Sequence, residues 1–126
     1  AVITTNKQVH KDGNAVMGAG LAKQAAERFP ELPAQYAKDT RNGNYYCIYN
    51  DYRLILVPTK DDWRQPSTLE LVAAAVEKLK QLPKSVKHIA VPALGCKNGQ
   101  LKWSSVRPIM ETLPKNRFLV IPPKED

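Results

Sequence analysis

The stretch AVITTNKQVHKDGNAVMGAGLAKQAAERF (Ala1–Phe29) decides the fold class. Ala1 to Thr5 is a short apolar and β-branched run, the composition of a strand, and it leads into a polar, glycine-containing loop from Asn6 to Asn14. From Met17 the chain passes through Gly18 and Gly20 into Leu21, Ala22, Ala25, Ala26 and Phe29, which recur at the spacing of one helix face, and Pro30 ends the run. A strand that runs through a glycine turn into a helix is an α/β opening. The first N–H groups of such a helix have no intrahelical partner and carry the positive end of its dipole, so a phosphate can rest there, and glycines let it approach the backbone. A tight turn with close packing would use the same two glycines.

Outward from this opening the pattern continues. Glu31 to Thr40 allows another helical turn or two. Tyr45 to Tyr49 and Arg53 to Val57 read as two strands joined by a tight turn at Asn50 and Asp51. Ser67 and Glu70 form a capping-box pattern ahead of Leu69, Val72, Ala73, Val76 and Leu79, predicting a helix to about Leu82. His88 to Val91 is a short strand, Leu101 to Leu113 a helix, and Arg117 to Ile121 a last strand. Short apolar strands alternating with helices predict a three-layer α/β sheet with helices on both faces. With no repeat and no linker, residues 1–126 are read as one domain.

Nineteen Lys and Arg against twelve Asp and Glu give a formal charge of +7, which favours anionic partners, nucleotides and nucleic acids among them, although scattered basic residues also serve solubility. No apolar stretch reaches the roughly 18 residues of a membrane span, and no signal peptide is visible. Cys47 and Cys96 fit neither a disulfide framework nor a zinc spacing, which predicts no metal, no cofactor and a reducing cytoplasm. Oligomeric state is not legible.

In open α/β sheets ligands bind beyond the carboxyl ends of the strands. Besides Val16 to Gly20, a second loop there, Pro92 to Gln100, carries Gly95 and Gly99 and precedes a helix. Three segments in this order, Ile3 to Asn6 with VMGAGLAKQ, then VPTKDDWR, then VPALGCKNGQLKW, resemble the macro domain family, in the branch of bacterial DNA ADP-ribosyl glycohydrolase antitoxins and the animal terminal ADP-ribose glycohydrolase. The resemblance implies a three-layer α/β/α mixed sheet, here without the family's first strand, and an ADP-ribose site. It places Asn6 on the distal ribose, the Met17, Gly18, Ala19 and Gly20 backbone on the diphosphate, and Ala93, Leu94, Gly95, Cys96, Lys97, Asn98 and Gly99 around the second phosphate and ribose. Thr5 and Val16 join the ligand-binding set, and Thr59 and Lys60 approach the same sugar.

In hydrolytic members of the branch the lysine matching Lys60 attacks the anomeric carbon, which implies a catalytic role for Lys60; a solvated lysine at a strand end is the plainer reading of the residue. A nucleophilic lysine must be deprotonated, and carboxylates at Asp61 and Asp62 would oppose this if they faced it. Two departures stand out. Gly99 occupies the place of the animal enzymes' aspartate, and the family's adenine-binding acidic loop has no counterpart. Lys7 to Asn14, with His10, Lys11 and Asp12, is long enough to cover the distal ribose or to be a mobile surface loop. Trp103 is expected in the core, Trp63 is open between core and base stacking, and Cys96 is not expected to be a nucleophile. Three functions follow: removal of ADP-ribose from a modified macromolecule, with nucleic acid a candidate carrier; recognition of ADP-ribose without cleavage; and hydrolysis of ADP-ribose 1″-phosphate.

Overall fold

The periodicities of the chain resolve, in a computed structural model that describes residues 1–123, into five strands and four helices among those residues. They run β1 (Val2–Asn6), α1 (Gly20–Arg28), α2 (Leu32–Asp39), β2 (Cys47–Tyr49), β3 (Leu54–Lys60), α3 (Leu69–Lys80), β4 (Ile89–Pro92), α4 (Trp103–Met110) and β5 (Phe118–Ile121). β3 lies between β1, parallel to it, and β2, antiparallel to it. β4 and β5 form a second, parallel pair, and β4 approaches β1 side by side. The β2–β3 connection turns through Asn50 to Arg53, with Arg53 in the left-handed region at φ 57°.

Strand alternation builds two cores. Val2, Ile55, Val57 and Val91 face Val72, Val76 and Leu79 of α3 and Val106 and Met110 of α4. Ile3 and Leu56 point the other way, against Ala22 and Ala25 of α1 and Leu32 and Tyr36 of α2. Helices therefore cover both faces, as the alternation of strands and helices predicts. Tyr36 brings a hydroxyl into its core and satisfies it twice, with Thr5 Oγ1 at 2.8 Å and by donating to Tyr45 O at 2.8 Å.

Among the boundaries that differ from expectation, three bear on the site. α3 is capped by Thr68, whose Oγ1 accepts from Leu71 N at 3.1 Å, and not by Ser67. Ser67 is buried and its hydroxyl donates to Thr59 Oγ1 at 3.2 Å, so it is withdrawn from the helix end and the Ser67–Glu70 capping box does not form. α4 starts at Trp103 and ends at Met110, shorter than Leu101 to Leu113, because Leu101 is tied back to Gly95 O and Pro108 supplies no N–H to the last turn. β3 runs three residues beyond Val57, carrying Pro58, Thr59 and Lys60 in strand conformation. That extension brings Lys60 level with Asn6 of β1, across a register shift between Thr5 and Asn6.

Candidate functional site

The carboxyl ends of β1, β3 and β4 meet, and the chain segments leaving them enclose a cavity of about 430 Å³. Its walls are the β1 end and following loop (Thr4, Thr5, Asn6, His10), the turn into α1 (Val16, Met17, Gly18, Ala19, Leu21, Ala22), the β3 end (Thr59, Lys60, Trp63, Ser67) and the loop after β4 (Pro92, Ala93, Gly95, Lys97, Asn98, Gly99).

The turn into α1 is a donor surface. Ala19 caps the helix without a side-chain bond, the first turn holds no acidic residue, and the first helical hydrogen bond runs from Lys23 N to Ala19 O at 3.1 Å. The N–H groups of Gly18 to Ala22 have no protein acceptor among the described residues. Free donors at the positive end of a helix dipole favour an anion. The loop after β4 matches it. Its shape is set by Leu101 N to Gly95 O and Ser67 N to Gly99 O, both 2.9 Å, and by Cys96 N to Ala93 O at 3.2 Å. The N–H groups of Gly95, Lys97, Asn98 and Gly99 have no acceptor in the described chain. Gly20, at φ +58°, lets the two loops touch: a Cβ there would stand 2.8 Å from Asn98 Nδ2.

Lys60 is half-buried, and its Nζ donates to Asn98 O at 3.0 Å, joining β3 to the second loop. The two carboxylates beside it are engaged elsewhere. Asp61 pairs with Lys7 at 3.5 Å, and Asp62 pairs with Arg64 at 2.8 Å. Hydrogen bonds from the Arg64 side chain and backbone push the Asp62 carboxyl down to about 2. Asn6 donates to Val16 O at 3.1 Å and accepts from Gln8 N at 2.9 Å, so its amide fixes both ends of the Lys7–Asn14 loop while lining the cavity.

Most of the residues singled out from sequence meet here. Thr5, Asn6, Val16, Met17, Gly18, Ala19, Thr59, Lys60, Ala93, Gly95, Lys97, Asn98 and Gly99 all line the cavity. Three do not. The Leu94 side chain is fully buried in the α3–α4 core, Gly20 abuts the second loop, and Cys96 packs against the core with its Sγ toward Leu94 O at 3.7 Å. Burial pushes the Cys96 thiol up, which suits a packing role. Seven lining residues lie outside the set assigned from sequence: Thr4, Leu21, Ala22 and Pro92, and the three polar or aromatic ones His10, Ser67 and Trp63. His10 arrives on the loop held by Asn6; Ser67 carried a cap signal that concealed its place beneath Gly99; Trp63 carried only its size. The aspartate place also has a physical explanation. A Cβ on Gly99 would clash with the Ser67 hydroxyl and stand 2.5 Å from Gly95 O, so this loop has no room for a side chain there. Among the described residues no group of His, Cys, Asp and Glu is arranged to hold a metal.

A sheet covered on both faces, with a cleft at its strand carboxyl ends walled by two N–H-rich turns, places the chain among α/β proteins that receive an anionic ligand at that end. No family model matches the chain. It is 30% identical over 124 residues to the DNA ADP-ribosyl glycohydrolase of Mycobacterium tuberculosis, across 86% of this chain and 35% of the relative. To the enzyme of that name from Thermus aquaticus it is 34% identical over 106 residues, 73% of this chain and 29% of the relative. The chain thus spans about a third of the length of the curated relatives it matches. Among solved structures, the macrodomain of Mycobacterium tuberculosis DarG is similar at a TM-score of 0.74 and 29% identity, covering 98% of this chain and 88% of that one. Thermosipho africanus DarTG in complex with ADP-ribose gives a TM-score of 0.71 at 26% identity, covering 99% of this chain and 38% of that one. The chain belongs to the macro domain family.

Proposed function

We propose that residues 1–126 form one macro domain that binds ADP-ribose and hydrolyses it from ADP-ribosylated DNA. The observation that carries this is the cavity itself, which joins two acceptor-free N–H turns to a lysine at its β3 wall. The relatives named DNA ADP-ribosyl glycohydrolase, and the similar structure solved with ADP-ribose, support the ligand and the carrier. A net charge of +7 suits a polyanionic substrate. The free thiols Cys47 and Cys96 agree with work in a reducing cytoplasm.

In this reading the diphosphate lies between the N–H groups of Gly18–Ala22 and those of Gly95, Lys97, Asn98 and Gly99, and the distal ribose lies against Asn6 and Thr59. Lys60, as the free amine, bonds through Nζ to the anomeric carbon while the bond from that carbon to the leaving group breaks with its electron pair. The proton lost by the new C–N link goes to the leaving group. Water then adds to the same carbon, the C–N bond breaks, and Nζ recovers the proton that water gives up, releasing ADP-ribose. Because Gly99 admits no carboxylate, water is activated without help from that position.

Calorimetric titration with ADP-ribose, with AMP and ribose 5-phosphate as controls, tests the pocket, and an ADP-ribosylated oligonucleotide tests turnover. Lys60→Ala is expected to keep ADP-ribose binding and to lose roughly a hundredfold or more in turnover. Binding without turnover by the unmodified chain identifies a reader of ADP-ribose instead, and absence of binding refutes the whole reading.

A further inference from the structure

Trp63 is 55% exposed and forms part of the cavity wall. Its placement is built. Trp63 N donates to Gln8 Oε1 at 3.2 Å, Arg64 N to Asp62 Oδ1 at 2.8 Å, and Gln65 N to Asp62 O at 3.0 Å. The Asp62 carboxylate also clamps the Arg64 guanidinium, at 3.1 and 2.8 Å, and that guanidinium stands 5.9 Å from the centre of the indole. A tight turn closed by a carboxylate thus holds an indole in solvent three residues beyond Lys60.

The cavity is divided by chemistry. The N–H donors that suit phosphates belong to the turn into α1 and the loop after β4. Trp63 and His10 belong to the other two chains, which are tied together by the Lys7–Asp61 pair and the Gln8–Trp63 bond. A ribose with its phosphates on the donor loops and its reacting carbon toward Lys60 directs its leaving group to the Trp63 and His10 end. An exposed indole beside a guanidinium gains by stacking on a flat π-system, and a nucleobase offers one where an aliphatic carboxylate ester does not. Lys11, Arg64 and Lys97 are exposed in the chains that form this mouth, cations suited to the phosphates on either side of such a base.

We propose that Trp63 is a positioning residue for the leaving group: the nucleobase that bears the ADP-ribose stacks on its indole, and the site selects base-linked over side-chain-linked ADP-ribose. This rests on the hydrolase reading above. A base presented to this cavity must be outside a duplex stack.

The test compares the unmodified chain with Trp63→Phe and Trp63→Ala on three probes: free ADP-ribose, a single-stranded oligonucleotide ADP-ribosylated on one base, and a peptide ADP-ribosylated on a glutamate. Dissociation constants for all three and KM and kcat for the two conjugates are measured. Loss of one stacking contact corresponds to about 5- to 100-fold in affinity. Trp63→Ala is expected to weaken the oligonucleotide by that factor in Kd and KM with a smaller change in kcat. Its loss on the oligonucleotide exceeds that on ADP-ribose and on the peptide at least fivefold, and Trp63→Phe recovers most of it. Equal losses on oligonucleotide and peptide, or no loss on either, overturn the inference even if ADP-ribose binds and turnover is intact. Oligonucleotide binding that depends on Trp63 without turnover retires the hydrolase reading and leaves base stacking standing, while failure to bind ADP-ribose overturns both.

Discussion

Gly99→Ala isolates the demand that the second loop makes on its backbone. The added methyl would clash with the Ser67 hydroxyl, stand 2.6 Å from Ser67 Cβ and stand 2.5 Å from Gly95 O. Ser67 is buried and holds the loop through its own N–H, and Gly95 O is already fixed by Leu101 N, so neither can yield without moving the turn. Overpacking of this kind costs about 1–3 kcal/mol, and a backbone atom among the obstacles places Gly99→Ala near 3 kcal/mol, roughly a hundredfold in the folding equilibrium. Gly18→Ala is the control, because a Cβ there meets nothing within 4 Å and the backbone is not left-handed. Urea unfolding of both variants, followed by ADP-ribose titration, reads the difference. The expected result is a lower midpoint and weakened binding for Gly99→Ala. Exchange of Ser67 for glycine in that background restores part of the stability, since the contact with Gly95 O remains. Equal midpoints for the two glycine variants would refute the reasoning, and with it the steric account of the missing aspartate.

Other consequences are as direct. Thr68→Ala removes the true cap of α3 and should cost about 1 kcal/mol in urea unfolding. Leu94→Ala opens a hole in the α3–α4 core beneath the second loop and should cost about 3 kcal/mol, read from the same titration. Burial pushes the Tyr36 hydroxyl well above its ordinary value of 10, so the folded chain keeps a proton that the unfolded chain releases. Its contribution is therefore complete below pH 10 and is lost as pH rises further, with a slope near 1.4 kcal/mol per pH unit. Tyr36→Phe should flatten the fall in unfolding midpoint between pH 10 and 11; an unchanged slope would count against this. Cys47 and Cys96 both have thiols pushed up by burial, so alkylation of the folded chain at pH 7 should be far slower than that of a free cysteine, as a timed mass-spectrometric assay would show.

Much of the fold was legible because local signals agreed with one another. The order of elements followed from periodicity, and the two glycine-bearing turns declared themselves by preceding helices. The failures were local rules overruled by distant partners. Ser67 satisfies the sequence pattern for a helix cap, yet Thr59 on β3 and Gly99 in the second loop take its hydroxyl and its N–H. Leu94 and Cys96 stand among site residues in sequence, yet a loop that turns back on Gly95 sends their side chains into the core. Asp61 and Asp62 threatened Lys60 by adjacency, and Lys7 and Arg64 occupy them instead.

The sequence by itself determined the layered α/β class, the two anion-suited turns and the presence of Lys60 at a strand end, since each depends on contacts within a few residues and on the period of apolar positions. Only the tertiary structure decided that Asn6 and Lys60 stand level across β1 and β3, that Lys60 Nζ meets Asn98 O, that Gly99 has no room for a side chain, and that Trp63 faces the cavity. Most of those facts join residues far apart in the chain, 38 positions in the Lys60–Asn98 bond and 55 in the Gln8–Trp63 bond, and a side chain's surroundings at that separation are fixed by strand pairing and loop packing.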